Sequence, residues 1–304
     1  MRRVLLVVHE GRDEATKIAA AFAGELRSLG IAVCVLDPEA GALRAAGVED
    51  AEIVAARPGA AAGCELTVVF GGDGTILRAA ELCRGTETPV LGVNLGHVGF
   101  LAEADVEDMS EVVRVVADRS YTVEERLTVD VSVTVAGEVV ATNWALNEAT
   151  VEKDARERML EVVVEIDDRP VSRWGCDGVV CATPTGSTAY NFSAGGPIVW
   201  PEVSALLMVP ISAHALFARP LVVSPSSTLA IEVVGEQAKG VLWCDGRRAA
   251  ELPVGSRVEV RKGREPVRLA RLHHASFADR LVRKFHLPVA GWRGVAERRW
   301  EDQD

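Results

Sequence analysis

The feature of this 304-residue sequence that most constrains its fold is a change of periodicity near Tyr121. Before it, short apolar runs alternate with segments whose apolar residues recur at helical spacing. This pattern predicts an α/β domain with a parallel sheet that is covered on both faces. The predicted strands are RRVLLVVHE, IAVCVLD, CELTVVF and PVLGVN, and the predicted helices are RDEATKIAAAFAGELRSLG, Thr75 to about Cys83, and DVEDMSEVVRVVADR.

After Tyr121 the apolar residues alternate with period two between turn signals, which predicts a second domain made mostly of β-strands. A helical pattern, FADRLVRKFH, returns after Ser276. We therefore predict an α/β domain at residues 1–119, a β-rich domain at residues 120–271, and a C-terminal helix within 272–304 that returns to the first domain. The segment from Pro38 to Gly63 is interpreted as a mobile surface region, and the charged tail from Arg293 as frayed.

Composition excludes several classes of partner. A formal charge of −11 argues against nucleic-acid binding by bulk attraction. The six cysteines are scattered without a C-x-x-C pair, which indicates a reduced, cytoplasmic protein rather than a zinc or disulfide protein. Residues 178–201 carry no charge, but they are too rich in Gly, Pro, Ser and Thr for a membrane span. We interpret them as buried or ligand-facing backbone.

A glycine-rich loop follows the predicted strand CELTVVF and opens a helix. Gly71, Gly72 and Gly74 permit close backbone approach, and the amides at the start of a helix bind anions. Ligands of parallel sheets lie beyond the carboxyl ends of the strands, where this loop falls. From the spacing alone, a phosphate loop and a tight turn in which Asp73 or Thr75 caps the helix are equally favoured. Arg78, one turn later, is a candidate for the donor phosphates, although a solvated helix arginine is the more common role.

Three other segments could contact a ligand. DGVVCATPTGSTAY ends a short strand in small hydroxyl residues, with Tyr190 as an aromatic wall; its lack of charge favours a ligand role over a plain turn. Asn147 and Glu148 could bind a ribose diol or an adenine edge, although a turn-forming pair is the common reading. The loop NLGHVGFLAE follows another predicted parallel strand. His97 and His214 are isolated, and no metal ligand is assigned. The segment CDGR is predicted to be a hairpin turn.

Taken together, these motifs resemble those of the NAD kinases, in particular the bacterial type that uses ATP or polyphosphate. The resemblance extends from about Val4 to Phe285, and its motifs occur in the family's order. A GGDG loop alone is also found in lipid kinases and phosphofructokinases, whereas GGDGT together with Asn-Glu and TPTGSTAY is specific. The motifs are Gly71 to Thr75, Gly96 to Leu101, Asn147-Glu148, Asp177-Gly178, Thr183 to Tyr190 with Ser193, Arg219-Pro220 and Asp245-Gly246.

The resemblance implies that a phosphoryl group is transferred from ATP, or from polyphosphate in some members, to the 2′-hydroxyl of the adenosine ribose of NAD. Asp73 would be the general base or would orient this hydroxyl. The phosphate loop would comprise Gly71, Gly72, Gly74 and Thr75, with Arg78 added from its position. The residues implied to bind NAD are Phe100, Asn147, Glu148, Asp177, Thr188, Ala189, Tyr190 and Ser193.

The resemblance also implies a divalent cofactor, usually Mg²⁺, and a homodimer or homotetramer. Phosphoryl transfer depends on positioning and on neutralisation of charge, so a protein of net charge −11 without a P-loop lysine is expected to need such an ion. Two alternatives remain open. A lipid kinase would share the GGDG loop and expose a surface for a membrane, and a non-catalytic NAD(P) sensor would keep the pockets without needing Asp73.

Overall fold

The computed structural model describes residues 1–96, 99–105, 108–155, 157–235, 239–272 and 276–289. His97 and the charged tail from Arg293 lie outside these residues. The chain forms two compact units. The first contains Met1–Glu124 together with the described residues from Leu269 onward, and the second contains Glu125–Arg268.

The predicted strands and helices of the first unit are present in the predicted order, with a helix at Asp37–Ala45 and a strand at Glu52–Val54 in addition, and strands predominate after Tyr121. The described helices are α1 (Asp13–Ser28), α2 (Asp37–Ala45), α3 (Asp73–Cys83), α4 (Met109–Asp118), α5 (Tyr190–Ser193) and α6 (Phe277–Phe285). The described strands are β1 (Arg3–Val8), β2 (Ala32–Leu36), β3 (Glu52–Val54), β4 (Leu66–Phe70), β5 (Val90–Asn94), β6 (Ala104–Asp105), β7 (Thr122–Arg126), β8 (Val129–Val135), β9 (Glu138–Ala145), β10 (Glu148–Lys153), β11 (Leu160–Ile166), β12 (Arg169–Cys176), β13 (Gly178–Ala182), β14 (Leu206–Ile211), β15 (Leu221–Val223), β16 (Leu229–Val233), β17 (Gly240–Cys244), β18 (Arg248–Leu252), β19 (Arg257–Lys262) and β20 (Val267–Arg271).

The first unit is built on an eight-stranded sheet in the order β3-β2-β1-β4-β5-β20-β7, with β6 paired to β5. The pairs from β3 to β20 are parallel, which confirms the predicted sheet. Every residue of the central strands β4 and β5 is buried, because helices cover both faces of such a sheet. The ends of β4 and β5 therefore bring the loops that follow them to the same edge.

The segment from Pro38 to Gly63 lies mostly at the surface, as predicted, but it contains regular structure that the sequence pattern did not indicate. Pro38 lies in the first turn of α2, where its fixed φ favours a helix start, and Glu39 is buried. The segment then adds the short strand β3 in parallel to the edge of β2. A nine-residue helix and a three-residue strand are too short to give a clear periodic signal, so their order comes from packing on the rest of the unit.

The second unit contains two antiparallel sheets of six strands each. Their orders are β15-β14-β13-β10-β17-β18 and β12-β11-β16-β19-β8-β9. Alternate residues of both sheets contribute to a single buried cluster that includes Val131, Val162, Trp174 and Leu242. This arrangement explains the period-two pattern, because each strand presents every second side chain to that core.

Burial on both faces of β13 explains why residues 178–182 carry no charge, whereas Tyr190, Phe192 and Trp200 in the rest of the uncharged segment are exposed. Val179 and Cys181 enter the main core of the second unit. Val180 and Ala182 point to the other face, where a smaller apolar cluster includes Val199. A charged side chain on either face would have to be desolvated. Among the described residues, no helix is long and apolar enough to cross a membrane.

The predicted C-terminal helix is confirmed as α6, which belongs to the first unit. Ser276 caps it by accepting a hydrogen bond from the Asp279 amide, at 3.1 Å. The helix ends at Phe285, and the next residue, His286, has a left-handed φ of 50°.

Candidate functional site

The glycine loop joins β4 to α3 with little room for side chains. The amide of Gly71 donates to Val93 of the neighbouring strand at 3.1 Å. A Cβ atom placed on Gly71 would lie 2.4 Å from the hydroxyl of Thr75, so only glycine fits there. The helix starts at Asp73, two residues earlier than predicted, and its N-cap residue is Gly72. The alternative in which Asp73 or Thr75 caps the helix is therefore not what the structure shows.

The carboxylate of Asp73 is fixed by two successive backbone amides. Its Oδ2 accepts from Phe100 at 3.0 Å and its Oδ1 accepts from Leu101 at 3.1 Å. Gly99 packs directly on this carboxylate, since a Cβ there would lie 2.3 Å from Oδ1. Asp73 itself is half-buried. The loop after β5 thus determines the orientation of a carboxylate that the loop after β4 supplies.

Arg78 is tied to carboxylates in the same unit. Its guanidinium contacts Glu39 at 2.6 Å and Glu10 at 3.3 Å, and only 13% of its side chain is exposed. The interpretation of Arg78 as a solvated helix arginine is therefore wrong. Glu39 also accepts from the amide of Val8 at 3.0 Å, while its burial raises the pKa of its carboxyl group. The pair fixes the end of β1 against α3.

In the second unit, a buried carboxylate holds the corner between β9 and β10. Asp245 accepts from the amides of Leu146 and Asn147, the latter at 2.7 Å. It also pairs with Arg248 at 2.8 Å, and the Arg248 guanidinium lies 4.5 Å from the centre of the Trp144 ring. Only 2% of the Asp245 side chain is exposed.

The hairpin turn predicted at CDGR is confirmed, because Asp245 and Gly246 both have positive φ between β17 and β18. Turn chemistry alone did not reveal that the Asp245 carboxylate supports the Asn147-Glu148 corner. The sequence signal that could have revealed it is the pair Asp245-Gly246 itself, which belongs to the motifs of the resemblance.

Glu148 is a buried carboxyl group with one free oxygen. Its Oε2 has no hydrogen-bond partner in the part of the chain that the structure describes. Burial, assisted by the nearby Asp245 carboxylate, raises the pKa of Glu148 to about 8, and a hydrogen bond from the Tyr190 backbone opposes this shift. A buried carboxyl group with an unsatisfied oxygen is uncommon in a folded protein and marks this corner as a candidate ligand contact.

The hydroxyl groups predicted to face a ligand in Thr183 to Tyr190 are partly used inside the protein. Thr183 donates to the Leu146 carbonyl at 2.6 Å and accepts from the Gly186 amide at 3.1 Å. Ser187 both donates to and accepts from the backbone of Val199, each at 3.0 Å. These two residues bind the loop to its neighbours, and Thr188 lies half-exposed beyond them.

The remaining predicted residues of the second unit lie near one another. Tyr190 is 37% exposed, and burial together with the charges of Glu152, Asp177 and Glu148 raises its pKa. Asp177 pairs with Lys153 at 2.5 Å, an interaction that lowers the pKa of Asp177. Ala189 precedes α5 and is half-buried, and the Ser193 hydroxyl donates to the Tyr190 carbonyl at 3.0 Å.

Phe100 has a less open position than a ligand-binding aromatic residue would need. Its ring is buried against Phe277 and Phe285 of α6, with ring centres 6.0 and 5.8 Å away. Its backbone amide, by contrast, holds Asp73. The role of α6 at this loop was not visible from the sequence, because no local pattern connects residue 100 with residue 280.

The described residues contain no group of three or more His, Cys, Asp or Glu side chains arranged to hold a metal ion. His214 is engaged through its backbone amide, which donates to the Gly175 carbonyl at 2.8 Å.

Comparison with known proteins gives matches over both units. Residues 4–121 match the family model of the ATP-NAD kinase N-terminal domain, and residues 146–272 match that of the C-terminal domain. Among solved structures, yeast NADH kinase complexed with NADH is similar in fold, with a TM-score of 0.85 and 24% identity over 95% of this chain and 88% of that chain. An NAD kinase from Archaeoglobus fulgidus in complex with ATP has a TM-score of 0.70 and 26% identity, over 94% of this chain and 99% of that one.

Curated relatives match nearly the full length. NAD kinase 2 of Streptomyces avermitilis is 62% identical over 97% of both chains. The NAD kinase of Thermobifida fusca is 59% identical over 98% of this chain and 93% of its own. These matches support the kinase interpretation and give the lipid-kinase and sensor alternatives no support. Because the family models match residues 4–121 and 146–272 and these relatives are 59–62% identical over nearly the whole chain, the chain belongs to the NAD kinase family.

Proposed function

We propose that this protein transfers the terminal phosphoryl group of ATP to the 2′-hydroxyl of the adenosine ribose of NAD, producing NADP. The observation that carries the proposal is the carboxylate of Asp73, which two amides hold in one orientation beside a glycine loop at the carboxyl edge of the sheet. Membership of the NAD kinase family supports the same reaction.

Asp73 is assigned the role of general base, which accepts the proton of the attacking 2′-hydroxyl. Each carboxylate oxygen of Asp73 accepts one hydrogen bond from a backbone amide, so each oxygen keeps a second lone pair that can accept from the substrate. The ribose oxygen forms a bond to the γ-phosphorus, the bond from that phosphorus to the bridging oxygen breaks, and ADP leaves with the electron pair. The proton passes to Asp73 and then to solvent. Backbone amides of Gly72 and Gly74 at the start of α3 are assigned to the donor phosphates, with Thr75 beside them. The Gly71 amide is already bonded to Val93, so Gly71 contributes to the loop through the close approach of its backbone.

Arg78 is still assigned to the region of the donor phosphates, but chiefly as a residue that supports the site rather than as a direct phosphate ligand. Its guanidinium is already paired with Glu39 and Glu10, so it fixes the end of β1 beside α3. A phosphate that displaced the exposed Glu10 from this pair would then gain a contact with Arg78.

Binding of NAD is assigned chiefly to the second unit. The unpaired but buried oxygen of Glu148 and the neighbouring amide side chain of Asn147 are assigned to a ribose diol or an adenine edge. Tyr190 supplies a half-open aromatic surface. The other residues assigned to NAD are Asp177, Thr188, Ala189 and Ser193. Phe100 is not assigned to NAD, because its ring is buried against α6.

A divalent ion is proposed as cofactor, and Mg²⁺ is the ion that phosphate and carboxylate oxygens favour. Mg²⁺ is usually held by substrate phosphates with one or two carboxylates rather than by a complete protein cage. Glu10, which follows β1, and Asp73, which follows β4, are the carboxylates that we assign to this ion, and both have surface access. When bound, the ion offsets the charge of the phosphates, which a protein of net charge −11 does not do by itself.

We also propose a cytoplasmic protein that forms a homodimer or homotetramer and accepts polyphosphate as a second donor. All six cysteines are unpaired and buried, in keeping with a reducing compartment. Exposed apolar side chains of the second unit, among them Leu216 and Trp243, are in keeping with association of copies. Light scattering of the purified protein tests the association, and an assay with polyphosphate in place of ATP tests the donor.

The direct test incubates the purified protein with Mg-ATP and NAD and measures NADP. We expect Asp73→Asn to lower kcat roughly 10²–10⁴-fold, the range for loss of acid–base catalysis. The matched control is Asp13→Asn, since Asp13 is the exposed first residue of α1 as Asp73 is the first residue of α3. Phosphorylation of diacylglycerol without NADP formation would support a lipid kinase. NAD binding without turnover would support a sensor.

A further inference from the structure

We infer that Arg280 on the C-terminal helix α6 is a positioning residue for Asp73. The inference rests on the proposed function and deepens it, because it identifies a part of the chain that holds the proposed base in place. The argument follows the contacts outward from the carboxylate to the helix, all within the first unit.

The first link is a single peptide group. The Leu101 amide donates to Asp73, and the carbonyl of the same peptide, that of Phe100, accepts from Nη1 of Arg280 at 3.2 Å. One rigid plane therefore lies between the guanidinium and the carboxylate. Because hydrogen bonds in a chain polarise one another, a cation on the carbonyl side strengthens the donor on the amide side.

The second link holds the backbone on either side of this peptide. Nη1 of Arg280 also donates to the carbonyl of Ala102 at 2.7 Å. Arg271, at the end of β20, donates to the Leu101 carbonyl at 3.4 Å. Three successive carbonyls of the loop are thus held by two arginines that lie about 170 to 180 residues later in the chain.

The third link keeps the arginines in place. Glu103, whose side chain is fully buried, pairs with Arg271 at 2.7 Å and with Arg280. Arg271 also pairs with Glu124 at 2.8 Å. A buried carboxylate between two cations is favourable only when all its partners are present, so removal of one arginine is expected to disturb the set.

The fourth link is apolar. The ring of Phe100 packs against Phe277 in the first turn of α6 and against Phe285 in its last turn. These contacts fix the residue whose amide holds Oδ2 of Asp73. Both hydrogen bonds of the carboxylate therefore depend on α6, one through Arg280 and one through the phenylalanine rings.

The experiment is a double-mutant cycle on NADP formation with Mg-ATP and NAD. Arg280→Met is expected to lower kcat roughly 10- to 100-fold, which is the scale for a reacting group misplaced by about 1 Å. KM for NAD and for ATP should change less than about threefold, since Arg280 touches neither proposed pocket. Arg280→Lys, which keeps the charge, should recover part of the loss.

The decisive comparison is made in the Asp73→Asn background. If Arg280 acts through Asp73, adding Arg280→Met there should change kcat by less than about twofold, because coupled residues are not additive. The same loss in both backgrounds would show a general structural role and overturn the inference, as would an unchanged kcat in Arg280→Met alone.

Two further variants separate a specific effect of Arg280 from a general effect on the fold. Arg114→Met removes an exposed arginine from α4 of the same unit and should leave kcat unchanged. If Arg280→Met does not fold, Phe285→Leu tests the apolar link in the same cycle with a smaller change. A wild-type protein that forms no NADP would refute the proposed function instead, so the two failures are distinguishable.

Discussion

At the residue scale, the site depends on carboxylates placed in very different surroundings. Asp73 is half-exposed with both oxygens held by amides, whereas Glu148 is buried with one oxygen unpaired. Asp245 is also buried, but amides and Arg248 satisfy it, so it supports the corner that carries Glu148. The same functional group therefore serves as proposed base, proposed ligand contact and structural support, and its surroundings decide which.

The raised pKa of Glu148 predicts a pH-dependent stability. The folded carboxyl group titrates at about 8 against an ordinary value of 4.5, so between these pH values the folded state holds a proton that the unfolded state has lost. Its contribution is therefore complete below about pH 4.5 and declines as the pH rises to about 8. The decline has an upper bound of about 1.4 kcal/mol per pH unit.

Thermal unfolding of Glu148→Gln from pH 5 to pH 9 tests this prediction. The variant cannot ionise at this position, so its stability relative to the wild type should increase as the pH rises. Glu138→Gln, a change at an exposed glutamate of the same unit, should follow the wild type. Parallel curves for the wild type and Glu148→Gln would contradict the assigned titration.

At the element scale, short segments are held by close contacts with distant backbone. The turn at Thr185 to Thr188 crosses the Asn147 carbonyl so closely that a Cβ on Gly186 would lie 2.0 Å from it. The loop before β6 is likewise held by a distant part of the chain, because Arg280 of α6 donates to the Ala102 carbonyl. A local pattern predicts that such elements exist, but it does not identify the surface on which they pack.

The close contact between Gly186 and the Asn147 carbonyl predicts that a methyl group added at position 186 lowers the stability of the protein. Gly186→Ala forces the turn away from the Asn147-Glu148 corner, and we expect a loss of about 1–3 kcal/mol in stability and a raised KM for NAD. Gly24→Ala is the matched change, since Gly24 lies inside α1 with nothing within 4 Å of a new Cβ. It should stabilise the protein by about 0.5–1 kcal/mol.

Chemical denaturation and NADP kinetics of both variants check this pair. If Gly186→Ala were as stable and as active as the wild type, the close packing of the turn on the corner would be refuted.

At the scale of the whole molecule, the two units differ in how the chain builds them. The second unit is continuous from Glu125 to Arg268 and has its own core between two antiparallel sheets. The first unit is discontinuous, because β20 pairs with β5 through Leu269 and Val90, and α6 follows it. Its sheet is complete only when the C-terminal segment has been added.

This difference predicts that the two units behave differently as fragments. Residues 125–268 should fold alone, with a β-type circular dichroism spectrum and one cooperative thermal transition. Residues 1–124 lack β20 and α6 and should not show a cooperative transition. Failure of the 125–268 fragment to fold, or cooperative unfolding of the 1–124 fragment, would contradict the assignment.

Much of this protein was determined by the sequence by itself. The change from helical to period-two spacing indicated the parallel sheet, the β-rich unit and the returning helix, because these patterns reflect which side chains each element buries. The glycine loop, the pair Asn147-Glu148 and the segment TPTGSTAY together indicated the family through their resemblance to the motifs of NAD kinases, whereas the spacing of the loop alone left a simple turn equally favoured. The short elements of 38–63 were missed because they carry too few residues for a periodic signal.

Only the tertiary structure decided which groups hold one another. The amides that orient Asp73, the carboxylate that supports the corner at Asn147, and the arginines that reach the loop from α6 are all distant in sequence from their partners. A local pattern reports the preference of a segment for helix, strand or turn, whereas a hydrogen bond between distant segments exists only after the chain has packed. For the same reason Arg78 could be expected in solvent from its position, and was found paired with the buried Glu39.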